Sequence, residues 1–242
     1  MKPQGGFWSR PWNDYLRLLQ LLSKEFNITN VLMLIVGVGV GWWIYVPIHE
    51  LFHAWGCQLS GGSVGRLEIS PEYGAAWLQQ YFPYVAVGSD YAGQLVEFDT
   101  FGSDRIYAVT VLAPFILTVY PGIPLYYWLI DRPWSSGTQF FCLGLLIPVV
   151  IAPFVSILGD YYEIGSIIVS NIAAWLYPTM NAMAWRGDDF LLVASTIGPA
   201  APTSDWVGVS LGLLVGIILA WSTYALGVFF RPRPKGHSFA YN

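Results

Sequence analysis

Residues 47–56 read PIHELFHAWG, and three of their side chains have types and spacing suited to metal chemistry. His49 and His53 are four positions apart, so a helix stacks them on one face within reach of a single ion. Glu50 follows the first histidine, where it could take a proton from a water held by that ion. The chain has only three histidines, and two of them are in this stretch. The plainer alternative is a pair of imidazoles satisfied by hydrogen bonds in a polar patch. A haem pair is disfavoured further, because imidazoles one turn apart on one helix cannot take opposite faces of a porphyrin. Zinc is the expected cofactor, and a catalytic zinc needs a third protein ligand with one position left open. Three carboxylates are candidates: Asp160 in ILGDYYE, Glu163 one helical turn later, and Glu72, nineteen residues beyond His53.

The elements that must position these groups read as membrane spans. The run Val31 to Val46 holds no charge, and a charged side chain placed at the end of such a run is a functional suspect. Charged residues make up 11% of the chain against about 25% in soluble domains, and the mean hydropathy is +0.51. Apolar runs at 31–54, 106–130, 138–159 and 207–230 each approach the roughly 20 residues that a bilayer core requires. A fifth, Ile164 to Tyr177, is too short to cross alone and is expected to be re-entrant or interfacial. The first and third spans then run in the same direction, which brings Asp160 to the depth of His49 and favours it over Glu163. Glu72 would need a second helix, but LSGGSVG at 59–65 and Pro71 break helix there.

The stretch before Val31 lacks a secretory-signal pattern, so the first span is expected to be an uncleaved anchor. Within 11–26, Leu16, Leu19, Leu22 and Phe26 share one helical face, away from Arg17 and Lys24. That pattern suits an interfacial helix, or equally a helix docked on a partner protein. Gly37 and Gly41, with Gly39 between, should let another helix approach the first span, and Pro47 should bend it ahead of the histidines. Between the first two spans, Leu67 and Ile69 alternate around Glu68, with Val64 out of phase. Together with YFPYVAV at 81–87 this predicts short strands or a hairpin. Cys57 and Cys142 lie near opposite ends of their spans, which argues against a disulfide.

Four spans place eight of the eleven basic residues on one face: Lys2, Arg10, Arg17, Lys24, Arg132, Arg231, Arg233 and Lys235. The positive-inside rule makes that face, with both termini, cytoplasmic and the 55–105 segment exterior. The net charge of −4 carries no nucleic-acid footprint. The expected organisation is an interfacial segment over 1–30, a membrane core over 31–177 with a 56–105 insert, and an exterior loop, last span and basic tail over 178–242. Membrane lipids surround such a chain.

In these features the chain resembles the site-2 protease family of intramembrane zinc metalloproteases. The resemblance rests on HELFHA at 49–54 and on a third span carrying Pro153 and Leu158-Gly159-Asp160, and it covers roughly residues 31–165. With the apolar runs it gives the expected fold, an all-α integral membrane protein of about four spans with a small β-prone extramembrane insert, and it implies a three-helix protease-like core and cleavage of membrane-protein substrates. Pro153 and Gly159 match that family's second motif. Val150 replaces its asparagine, Val155 its second proline and Leu158 its aspartate, so Asp160 comes two residues late. On a regular helix that shift rotates the carboxylate by about 200°, so ligation requires local unwinding. The departure supports a competing expectation, a non-catalytic subunit of a larger membrane complex that retains the fold.

Overall fold

The computed structural model describes residues 6–132, 136–179 and 181–232. The chain is mostly helical, and four helical stretches are long and apolar enough to cross a membrane: Ile28–Ser60, Asp104–Ile130, Gly137–Leu176 and Thr203–Phe229. Lys2, Arg233 and Lys235 of the expected basic face lie outside the described residues.

Helix α1 (Arg10–Lys24) leads into α2 (Ile28–Ser60), which starts where the Asn27 side chain accepts from the Thr29 amide. It runs through Pro47 and stops at Gly61, whose φ of 103° is a left-handed C-terminal cap. This helix extends beyond the apolar run, and its last turns pack against the insert and the helix that follows it.

The second stretch is not one helix. Here α4 (Asp104–Leu112) passes through a tight turn at Ala113–Phe115 and a wide turn at Thr118–Gly122 before α5 (Ile123–Ile130). Pro114, Pro121 and Pro124 each withdraw a backbone donor from this region. The Thr118 hydroxyl reaches across to the Val149 carbonyl at 2.6 Å and helps hold the break against the neighbouring helix.

The third stretch divides into α6 (Gly137–Val155) and α7 (Asp160–Leu176), separated by residues 156–159. The short apolar segment expected to stand alone at 164–177 is thus the body of α7. Its first two turns are buried, with Gly165 against Gly212 and Gly216 of α9 (Thr203–Phe229). Residues 178–202 are more than a loop, since they carry a turn at Ala182–Trp185 and α8 (Phe190–Ile197).

Glycine contacts fix the directions. Gly37 and Gly41 of α2 meet Phe141 and Leu145 of α6 in ascending order, so these two helices run parallel. A Cβ on Gly41 would come within 2.6 Å of the Leu145 carbonyl oxygen, so only glycine permits the approach. Gly39 faces open space and takes no part. Gly56 meets Thr110 and Gly62 meets Ile106, so α4 is antiparallel to α2.

The insert between α2 and α4 holds a three-stranded sheet of order β2-β1-β3. Strand β1 (Ser63–Ile69) pairs in parallel with β2 (Val85–Val87) and antiparallel with β3 (Gly93–Asp99). The short strands expected in this insert are present, but β1 and β2 do not form a hairpin: they are parallel and joined by a crossover through Pro71–Tyr73 and the single-turn α3 (Ala75–Leu78). Val64 reads out of phase because the β1–β3 register slips at Val64/Arg66 and again at Arg66/Leu67, an irregularity that re-aims the side chains. The crossover folds back along α2, where the Trp43 indole donates to the Glu72 carbonyl at 2.6 Å and the Trp42 indole donates to the Tyr73 hydroxyl.

Candidate metal centre

The two histidines project from the buried face of α2. His49 Nε2 and His53 Nε2 are 3.1 Å apart, and Asp160 approaches them at 3.7 and 3.8 Å. The His side chains are 12% exposed and the Asp side chain 22%. Among the described residues, His49, His53 and Asp160 are the one group of three whose ligand atoms lie within 4.8 Å of one another.

The outer nitrogens decide what the inner ones can do. His53 Nδ1 lies 2.9 Å from the Thr110 carbonyl of α4, which can only accept, so a neutral His53 carries its proton on Nδ1. Its Nε2 lone pair then faces the cluster. His49 Nδ1 is 2.8 Å from the Tyr45 hydroxyl, one turn earlier on the same helix. Such outer partners orient ligating imidazoles, and the Thr110 carbonyl also fixes the tautomer of His53. Phe115 closes the cluster, edge-on to His49 with ring centres 5.6 Å apart.

Asp160 reaches the cluster because the helix breaks. Helix α6 ends at Val155, Gly159 adopts φ −100° and ψ −111°, and Asp160 opens α7 with a new rotational phase. The break is stitched by wide bonds from the Tyr161 amide to the Ser156 carbonyl and from the Tyr162 amide to the Ile157 carbonyl. The Phe190 amide donates to the Leu158 carbonyl at 2.7 Å, so the start of α8 holds the turn from outside. The rotational mismatch of a regular helix does not arise.

Neither alternative carboxylate joins the group. Glu163 is buried and accepts from the Tyr107 hydroxyl, lining a separate cavity of about 290 Å³ with Asp104, Arg186 and Asp188. Glu72 belongs to the crossover, beside Trp43, six residues before His49 and so about 9 Å away along the helix.

Glu50 leaves the same part of α2 and lies in the electrostatic field of His53 and Asp160. Its side chain packs on the backbone of Gly93, where β3 begins. A Cβ at residue 93 would overlap the Glu50 methylenes and come within 2.9 Å of its carboxyl carbon. Tyr45, Thr110 and Gly93 are the residues that sequence reasoning missed. Tyr45 was readable as i−4 from His49; the contacts of Thr110 and Gly93 have no local signal.

The donor set fits zinc. Tetrahedral ligands with bonds of about 2.0–2.1 Å stand roughly 3.3 Å from one another, and separations of 3.1, 3.7 and 3.8 Å bracket that value. Two nitrogens and one oxygen leave a fourth position open.

No protein-family profile matches this chain, and no curated protein and no solved structure matches it.

Proposed function

We propose that this chain is a multi-pass membrane protein with both termini cytoplasmic that hydrolyses peptide bonds of membrane-embedded proteins at a zinc centre. The observation that carries the reading is the convergence of His49 Nε2, His53 Nε2 and Asp160, with the outer nitrogen of each histidine already engaged. Two imidazole nitrogens and a carboxylate oxygen gathered this closely form a donor set that a cation would satisfy. Bound zinc would supply Lewis acidity toward water and toward the scissile carbonyl. Glu50 is the general base: it takes the proton from the attacking water and returns it to the leaving amine.

A helical substrate hides its carbonyls in its own hydrogen bonds and must unwind before attack. Strand β3 is an edge strand of the insert, and it begins beside Glu50. An extended substrate segment adding to that edge would pass the base.

In mild detergent the purified protein is expected to hold about one zinc per chain. His49→Ala or His53→Ala removes the metal. Glu50→Gln keeps it and slows cleavage of a membrane-spanning peptide by roughly 100-fold or more. Gently purified protein without any transition metal overturns the reading. The departure of Val150, Val155 and Leu158 from the site-2 protease pattern supports the accessory-subunit reading instead. Stoichiometric co-purification with a larger complex and no metal at the histidines would establish it.

A further inference from the structure

Helix α1 is amphipathic in an inverted sense. Its inward face is polar: Arg10 and Asp14 bond the Tyr127 hydroxyl, the Asp14 carboxylate also accepts from Tyr224 at 3.0 Å, and Arg17 pairs with Asp131. Leu18 and Leu21 complete the contact with the bundle. Trp12, Tyr15, Leu16 and Leu19 fall within an arc of roughly 100° on the opposite side. All four are exposed, Trp12 by 61%, and Phe26 continues the stripe at 74%. A helix in water would be turned the other way round.

The level of α1 in the bundle indicates what covers this stripe. Helix α1 touches α5 at Tyr126 and Tyr127, the adjoining Asp131, and α9 at Tyr224, while Trp221 of α9 donates to the Trp8 carbonyl just before α1; all lie within about two turns of where α5 and α9 end. Only three residues, 25–27, separate α1 from α2. The same level carries Arg132 stacked on Trp128 at 3.7 Å and Arg231 over Tyr127, the aromatic and cationic belt typical of a membrane boundary. The stripe also runs on into the outward residues Ile28, Leu32, Ile35 and Val36 of α2.

From this we infer that the outer face of α1 is a lipid-docking surface. The helix lies in the plane of the bilayer with Trp12, Tyr15, Leu16 and Leu19 inserted at the boundary between headgroups and acyl chains. The Asp14 cluster fixes its rotation, so the helix acts as a rigid float that sets the height of the bundle in the membrane. This rests on the membrane-spanning part of the proposed function and is independent of the zinc chemistry.

The test uses the full chain with Cys142 replaced by alanine; the fully buried Cys57 is retained. Single cysteines at Leu19, Tyr15 and Ile35 carry nitroxide labels in phosphatidylcholine vesicles. Collision with oxygen is compared with collision with a water-soluble nickel complex. At Leu19 and Tyr15 oxygen should dominate, at a depth of roughly 5–10 Å, with Ile35 deeper. Nickel dominance at Leu19 and Tyr15 with oxygen dominance at Ile35 overturns the inference and leaves the spans intact. Nickel dominance at all three positions overturns both. Protection of Leu19 and Tyr15 from both reagents shows a second copy on the stripe and also overturns it.

Discussion

Two buried polar clusters stand at different levels of the same bundle, and their chemistry is opposite. Around Asp14, one carboxylate collects hydrogens from Tyr127, Tyr224 and Arg10, and Tyr126 donates to the Asp14 carbonyl. Donors and acceptors balance, the charge is paired, and nothing further is needed; such a network holds elements together. Around His49, His53 and Asp160 the His53 proton points outward to the Thr110 carbonyl, and two imidazole nitrogens converge with a carboxylate. A cluster left with converging acceptors has a use for a cation, whereas one saturated with donors is a fastener. Burial of polar groups therefore does not by itself mark a site; the convergence of ligand-type atoms without balancing donors from outside does.

The sharpest way to break this comparison is to exchange damage between the clusters. His53→Ala should abolish zinc binding while the fold survives, and Asp14→Ala should leave zinc at about one per chain. The Asp14 change strands Arg10 and two phenols, and breaking a buried pair of this kind costs about 3 kcal/mol or more. Metal analysis together with thermal unfolding in detergent reads both effects. Loss of zinc in Asp14→Ala would erase the distinction.

Gly93→Ala comes next in size. The added methyl pushes the Glu50 side chain off the start of β3 without touching the three donors, so metal content should stay constant. A displacement near 1 Å can cost about 100-fold in turnover, and peptide cleavage at saturating substrate measures it. The smallest effect is expected for Tyr45→Phe, which removes the outer partner of His49 and keeps the ring. Loss of such a partner weakens metal affinity by about 10–100-fold, and competition with a zinc chelator measures it.

Much of the fold was legible because lipid-length apolar runs and helical periodicity are local properties. The four long apolar stretches and the shared helical face of His49 and His53 follow from residue order, and Asp160 was weighed from span length and direction. The breaks were harder to read. The second stretch was read as one span over 106–130 although Pro114, Pro121 and Pro124 lie in it, and the place where its backbone breaks is held by the Val149 carbonyl of another helix. The three-stranded sheet was half visible: β1 and β2 carried strand signals, and β3 was found only by pairing. Its register irregularity explains why alternation along β1 looked faulty.

The sequence by itself determined which residue types are available: two imidazoles one turn apart, a carboxylate beside them, and helices long and apolar enough to cross a bilayer. Tertiary structure alone decided which third residue joins them and in what state. Asp160 becomes a neighbour only because α6 stops at Val155 and α7 restarts with a new phase, a choice enforced by the Phe190 amide and by packing on α9. The Nδ1 proton of His53 is set by a carbonyl fifty-seven residues away. Spacing along a helix fixes which side chains share a face. Where a second helix breaks, and which acceptor meets an imidazole from outside, depend on contacts between segments distant in sequence, so no local pattern encodes them.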